Sequence, residues 1–85
     1  MTGSGTVTVL FFAAARDAAG TAQLQLPVPE KVTLAQIQQQ VLRHAGGLQP
    51  LQSQLLWAVN NQYALPATTV QPGDTVACFP PVSGG

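Results

Sequence analysis

The residues best placed to do chemistry in this 85-residue sequence are the last four, Val82-Ser83-Gly84-Gly85. Two glycines carry no Cβ atoms, so such a backbone threads a channel too narrow for any side chain. With Gly85 as a free carboxylate, the reactive atom is the main-chain carbonyl carbon, and no side chain supplies the chemistry. The same dipeptide also suits a frayed end, and the preceding residues bear on the choice. Pro80-Pro81 favour an extended polyproline course and withdraw two amides from pairing. From Pro80 to Gly85 the extended reach is at most roughly 20 Å, enough to enter a neighbouring subunit's pocket. Other reactive side chains are few. Cys78 invites a sulfur-transfer role, yet it falls within the strand-like run Thr75-Val76-Ala77-Cys78-Phe79, where a buried, inert thiol is the usual finding. His44 is a lone imidazole near a helix end, read as a surface residue. No nucleophile–base pair assembles, no Cys/His spacing suggests zinc, and no phosphate-binding glycine motif occurs. The chain is therefore not expected to be catalytic alone or to bind a metal or cofactor.

Composition narrows the classes further. Eighty-five residues make one small domain, and an apolar fraction of 46% argues against disorder. Arg16, Lys31 and Arg43 balance Asp17, Glu30 and Asp74, for a formal net charge of zero. No basic stripe exists to hold nucleic acid. So lightly charged a surface is a solubility risk, which suggests that a partner covers part of it. The apolar run from Val7 to Ala15 lacks preceding basic residues, and Arg16-Asp17 follow at once, so it is not read as a secretion signal. No stretch is long enough to span a bilayer. One cysteine and no leader point to the cytoplasm.

The elements that must hold the tail are legible in the patterning. Thr6 to Phe12 alternates, with Val7, Val9 and Phe11 on one face and Thr8, Leu10 and Phe12 on the other. Ala13 to Ala19 reads as a helix of at most two turns closing at Gly20. Thr21 to Leu26 alternates again, and Pro27 and Pro29 are expected to end it. Thr33 and Gln36 form a capping box, with Val32 and Ile37 as its hydrophobic staple. Leu34, Ile37, Val41 and Ala45 then make one apolar stripe, Gln36 and Gln38 to Gln40 form the solvated side, and Gly46-Gly47 are expected to stop the helix. Leu48 to Ser53 reads as a turn or short 3₁₀ connection. Leu55 to Val59 reads as a strand with Trp57 in the core, Asn60-Asn61 as a tight turn, and Gln62 to Leu65 as a short returning strand. Gln71-Pro72-Gly73-Asp74 suits a type II turn before the last strand. This order predicts an α+β fold: a β-grasp, or ubiquitin-like, roll. It has a mixed four- to five-stranded sheet and one main helix over about residues 33–45, with the apolar first and last strands as parallel central neighbours. Residues 1–5 are expected to be a flexible lead, 6–81 the β-grasp domain, and 82–85 a flexible Gly-Gly tail.

Three segments together resemble a known family: Val9-Leu10-Phe11-Phe12-Ala13, Ala58-Val59-Asn60, and Pro72-Gly73-Asp74-Thr75-Val76-Ala77 continuing into Phe79-Pro80-Pro81-Val82-Ser83-Gly84-Gly85. They are similar to the small, sulfur-carrying subunits of molybdopterin synthase over about residues 6–85. The terminal run is the strongest part. Cys78 departs from a commoner aromatic residue, and Ser83 from a commoner threonine. The resemblance implies a carrier whose Gly85 carboxylate, beside Gly84, is adenylated by an ATP-using partner similar to ubiquitin-activating enzyme. A sulfur donor protein then converts it to a thiocarboxylate. ATP is used by that partner and not held by this chain. The tail would next enter the large synthase subunit, in an assembly of two small subunits at opposite ends of a large-subunit dimer. There its sulfur would attack a cyclic pyranopterin monophosphate for dithiolene formation in molybdenum cofactor biosynthesis. The resemblance also implies a docking face formed by Phe12, Tyr63 and Phe79, continued by Pro80, Pro81, Val82 and Ser83; the alternative is that one or more of the aromatics complete the core. Arg16 is a surface residue within reach of a partner. Other readings of the same tail are a carrier for thiamine or transfer-RNA thiolation, a protein modifier joined to lysines through Gly85, and an interaction module in which the Gly-Gly is incidental.

Overall fold

The alternation near the start folds as strand β1, Gly5–Phe11, in a computed structural model that describes residues 5–28 and 30–81. Val7, Val9 and Phe11 are buried, while Thr8 and Leu10 on the other face are only partly covered. Gly5, expected in the lead, is already part of this strand. Phe12 leaves the strand in extended geometry and becomes the N-cap of helix α1, Ala13–Ala19. That helix ends at Gly20, whose φ of 78° is left-handed, a conformation glycine adopts without a Cβ clash. Strand β2, Gln23–Val28, returns antiparallel to β1.

The capping box forms as its spacing dictates. The Gln36 amide donates to Thr33 Oγ1 (3.3 Å), and the Thr33 amide donates to Gln36 Oε1 (2.9 Å). Thr33 also closes the two-residue strand β3, Val32–Thr33, and starts helix α2, Leu34–His44. Leu34, Ile37 and Val41 are buried, with Ala45 just beyond them, so the apolar stripe faces the core. A helix start leaves its first amides without intrahelical acceptors. Here Leu34 and Ala35 donate to the carbonyls of Thr68 (2.8 Å) and Pro66 (2.9 Å). The segment from Gly46 to Gln54 continues as 3₁₀ turns. Gly46-Gly47 therefore open this segment, and the α-helix gives way at Ala45. Gly47 lies against α1: a Cβ built there would stand 2.3 Å from the Ala18 carbonyl oxygen.

Strand β4, Leu56–Val59, turns through Asn60 and Asn61, both at positive φ (50° and 70°), into strand β5, Gln62–Tyr63. Strand β6, Thr69–Val70, pairs with β3. A turn with Gly73 at φ 95°, closed by the Asp74 amide on the Gln71 carbonyl (3.0 Å), leads into strand β7, Thr75–Phe79. The main sheet has the order β2-β1-β7-β4-β5. β1 and β7 are parallel, with Val9 opposite Val76 and Phe11 opposite Cys78. This is the β-grasp roll, with α2 and the 3₁₀ segment covering one face of the sheet and burying Phe11, Leu34, Ile37, Leu48, Val76 and Cys78. Each fully buried aliphatic or aromatic side chain contributes about 1.5–3 kcal/mol.

Two expectations need correcting. Pro27 lies inside β2, opposite Thr6, and does not end it. β2 is the outer strand of the sheet, so its free side tolerates a residue without an N–H. The β3–β6 pair was not anticipated, because two residues are too few to display alternation.

Candidate functional site

The candidate site is the end of the sheet from which the chain leaves β7. Val82, Ser83, Gly84 and Gly85 lie outside the described residues, so what the structure shows is the platform that precedes them. β7 is held on both sides up to its last residues. Phe79 stands opposite Leu56 of β4, and the Phe12 amide donates to the Cys78 carbonyl (3.2 Å). Pro80 is half-buried and Pro81 exposed. Removing two consecutive N–H groups stops the ladder there, so the chain leaves the sheet after Phe79.

Strand alternation assigns the exposed face. Val76 and Cys78 point into the core, so Thr75, Ala77 and Phe79 point out. Trp57 and Val59 belong to the core cluster, so Leu56 and Ala58, opposite the outward Phe79 and Ala77, share the outer side, where Ala58 is itself covered, and Tyr63 lies opposite Ala58. The Tyr63 and Phe79 rings meet with centroids 5.9 Å apart, tilted by 54°, a favourable aromatic arrangement. Phe12 is 48% exposed, at the end of the neighbouring strand, and Tyr63 is 75% exposed. None of the three aromatics completes the core: Phe79 is half-covered and the other two are open to solvent. The face is graded, with Phe12, Phe79 and Leu56 at the tail end and Thr8 and Thr75 at the far end.

Two neighbours were missed by reading the sequence. Leu56 joins the face because of its register with Phe79, which only the folded pairing reveals. Leu65, 74% exposed, follows Tyr63 beside an open groove of about 540 Å³ between α2 and β4, lined in part by Leu42, Leu55, Trp57 and Pro66. No periodic signal marks it.

The remaining side chains lie apart from this end. Cys78 is fully buried, and desolvation pushes its thiol up to about 12, which keeps it protonated and unreactive at neutral pH. His44 is exposed in the last turn of α2, and Arg16 is exposed in the last turn of α1. Among the described residues, no three His, Cys, Asp or Glu side chains gather as a metal set, and no helix is long and apolar enough to cross a membrane.

Comparison with known proteins adds an independent line. The ThiS family profile matches residues 9–85, from within β1 to the final glycine. The molybdopterin synthase sulfur carrier subunit of Homo sapiens is 30% identical, with 93% of each chain covered. That of Arabidopsis thaliana is 32% identical, over 99% of this chain and 88% of its own. Among solved structures, SAMP1 from Haloferax volcanii superposes with a TM-score of 0.86 at 22% identity, covering 95% of this chain and all of that one. A chain from the complex of subunits 1 and 2 of the molybdopterin-converting factor of Helicobacter pylori has a TM-score of 0.68 at 21% identity, covering 94% and 99%. At these identities the superpositions speak for the β-grasp fold, while the sequence matches reach through the terminal run, so the chain belongs to the ThiS family, together with the molybdopterin synthase sulfur carrier subunits.

Proposed function

We propose that this chain is the sulfur carrier subunit of molybdopterin synthase, working in the cytoplasm and carrying sulfur as a thiocarboxylate on Gly85. The observation that carries this reading is the continuity of the family match through Gly84-Gly85, which follow, after Pro80 to Ser83, a strand whose last residues are pinned on both sides. A carboxylate is a poor electrophile because its leaving group would be oxide. An adenylating partner resolves this: a Gly85 oxygen attacks the α-phosphorus of ATP, pyrophosphate departs, and the carbonyl becomes an acyl-adenylate. The terminal sulfur of a donor protein's persulfide then forms the C–S bond as AMP leaves, and a thiol cleaves the resulting acyl disulfide, becoming disulfide-bonded to the donor sulfur and freeing the thiocarboxylate. On the large synthase subunit, the sulfur forms a C–S bond to a carbon of the pterin precursor, an oxygen substituent of that carbon leaves with a proton from the partner, and water cleaves the acyl–sulfur bond to restore the carboxylate. This chain supplies the nucleophile and its placement, and the partner supplies acid, base and oxyanion contacts. Phe12, Tyr63, Phe79, Pro80 and Pro81 are the docking surface beside the tail. Val82 and Ser83 continue that contact and, with Gly84, lead Gly85 into the partner's channel.

Incubation with the activating enzyme, ATP and a sulfur source should raise the intact mass by the difference between sulfur and oxygen, about 16 Da. No gain with a working activating partner contradicts any carrier role. Deleting Gly85 should abolish turnover with the large subunit while leaving the circular dichroism spectrum unchanged; retained turnover contradicts the tail chemistry. Sulfur transfer to a thiamine precursor or transfer RNA, but not to the pterin precursor, would reassign the pathway. Adducts on target lysines would favour the modifier reading.

A further inference from the structure

We propose that Ala13 is a positioning residue for the tail-bearing end: its left-handed turn sets the orientation of Phe12, and through Phe12 the last hold on the strand that feeds the tail. This role toward a partner rests on the docking reading of Phe12. Among the described residues, Ala13, Asn60 and Asn61 have positive φ without being glycine. The two asparagines form the β4–β5 turn, where a short polar side chain tolerates it. Ala13, at φ 51°, has no such side chain. It opens α1, where an ordinary first residue has φ of about −60°.

A left-handed L-residue crowds its Cβ against the following carbonyl oxygen, and such strain persists only where the surroundings determine it. Here they do so from both sides. Upstream, the Phe11 amide donates to the Ala22 carbonyl (2.9 Å) and the Phe12 amide to the Cys78 carbonyl (3.2 Å). Downstream, Ala15 is fully buried, and its amide donates to the Phe12 carbonyl (3.0 Å). Only Ala13 and Ala14 separate these anchors, and both are exposed. The chain must reverse within them, and positive φ at the first central residue of a turn makes that reversal. Turned the ordinary way at Ala13, the chain would lift Phe12 from Cys78 or draw Ala15 out of the core.

Phe12 is where the turn bears on function. It lies beyond β1 yet keeps extended backbone, with φ −125° and ψ 149°. Alternation carries its ring to the outer side with Leu10, 48% exposed. Its amide extends the β1–β7 ladder past Phe11 and reaches β7 at Cys78, just ahead of Phe79 and Pro80. One backbone angle thereby fixes both a docking ring and the root of the tail.

Because Ala13 is exposed, larger side chains have room there, and substitution tests the preference for φ. Ala13→Val and Ala13→Asn add comparable bulk, but a β-branched residue avoids positive φ and asparagine tolerates it. In the free full-length chain, hydrogen exchange at the Phe12 amide should quicken about tenfold or more in Ala13→Val. It should stay within about threefold of wild type in Ala13→Asn and Ala13→Gly. Against the large synthase subunit, with folding verified by circular dichroism, Ala13→Val should lose about as much affinity as Phe12→Ala, about fivefold or more. Asparagine or glycine should restore it. The double variant Phe12→Ala/Ala13→Val should bind no worse than Phe12→Ala, because Ala13 acts through Phe12. If Ala13→Val fails to fold, Ala13→Leu, which also avoids positive φ, takes its place in each comparison. Wild-type exchange in the valine chain overturns the positioning, as do equal losses with valine and asparagine or additive losses in the double variant. Unchanged exchange beside a weakened Phe12→Ala defeats the positioning alone. Quickened exchange beside a Phe12→Ala chain of wild-type affinity supports the hold on the tail root and defeats the docking reading of Phe12.

Discussion

Cys78 separates sulfur that is part of the fold from sulfur that would be cargo. Its side chain is sealed between β1 and β4, opposite Phe11 and Trp57, and burial disfavours the thiolate. An aromatic thiol reagent at pH 8 should leave the native protein unmodified and react fully once denaturant is added; fast native reaction would mean that the strand opens. The same shift links stability to pH. In the unfolded chain the thiol titrates near 9.0, and in the folded chain near about 12. The folded state thus holds a proton that the unfolded state has lost between those values. This contribution is fully present below pH 9 and declines as pH rises toward 12, by up to ~1.4 kcal/mol per pH unit. Urea denaturation of the native chain and of Cys78→Ala across that window should give different slopes, the variant lacking this component. Equal slopes would show that the thiol does not titrate differently on folding. Cys78 was legible from sequence because alternation alone placed it with Val76. Its exposed neighbour Phe79 was legible for the same reason, but the partners of Phe79, Tyr63 and Leu56, depend on a strand register that no local pattern encodes.

At the scale of elements, packing against α1 depends on one glycine. Gly47 has no positive φ to require it; the constraint is the Ala18 carbonyl oxygen 2.3 Å from where a Cβ would stand. Backbone on both sides leaves little room to yield, so Gly47→Ala should destabilise the fold by about 1–3 kcal/mol in chemical denaturation. Gly46 has nothing within 4 Å of the same position, and Gly46→Ala should fall within about 0.5 kcal/mol of wild type, or gain slightly from a less flexible unfolded chain. Equal losses at the two positions would mean that the α1 contact is not the reason. The contrast also marks how far sequence reading reaches. The two glycines look alike as helix stops, because a stop needs only poor helix formers, and a close approach between elements some thirty residues apart leaves no trace in local pattern. Where the determinants were local, at the Thr33–Gln36 cap, at Gly20, and at Asn60-Asn61, chain and structure agree to within a residue. Where they were topological, as at Pro27 on an outer strand or at the two-residue β3–β6 pair, only the assembled sheet supplied the reason.

For the molecule as a whole, scarcity of charge is a statement about how it meets a partner. Three cations and three anions are spread over the chain, and the tail-bearing end of the sheet presents aromatic and aliphatic side chains. In the proposed reading, association through such a face receives little electrostatic steering and draws its strength from removing Phe79, Tyr63 and Leu56 from water. Two consequences follow for the proposed binding to a large synthase subunit. Affinity measured by titration calorimetry should change less than about threefold between low and high salt, since screening acts on exposed charge pairs. Phe79→Ala should weaken binding by about tenfold or more, as for a central aromatic anchor, even though the residue is half-covered in the free chain and its loss disturbs the core little. A steep fall in affinity with salt would shift the contact toward Arg16, Lys31 or Arg43. A Phe79→Ala chain that binds as tightly as wild type would mean that the tail alone carries the affinity, with the sheet serving only to support its root.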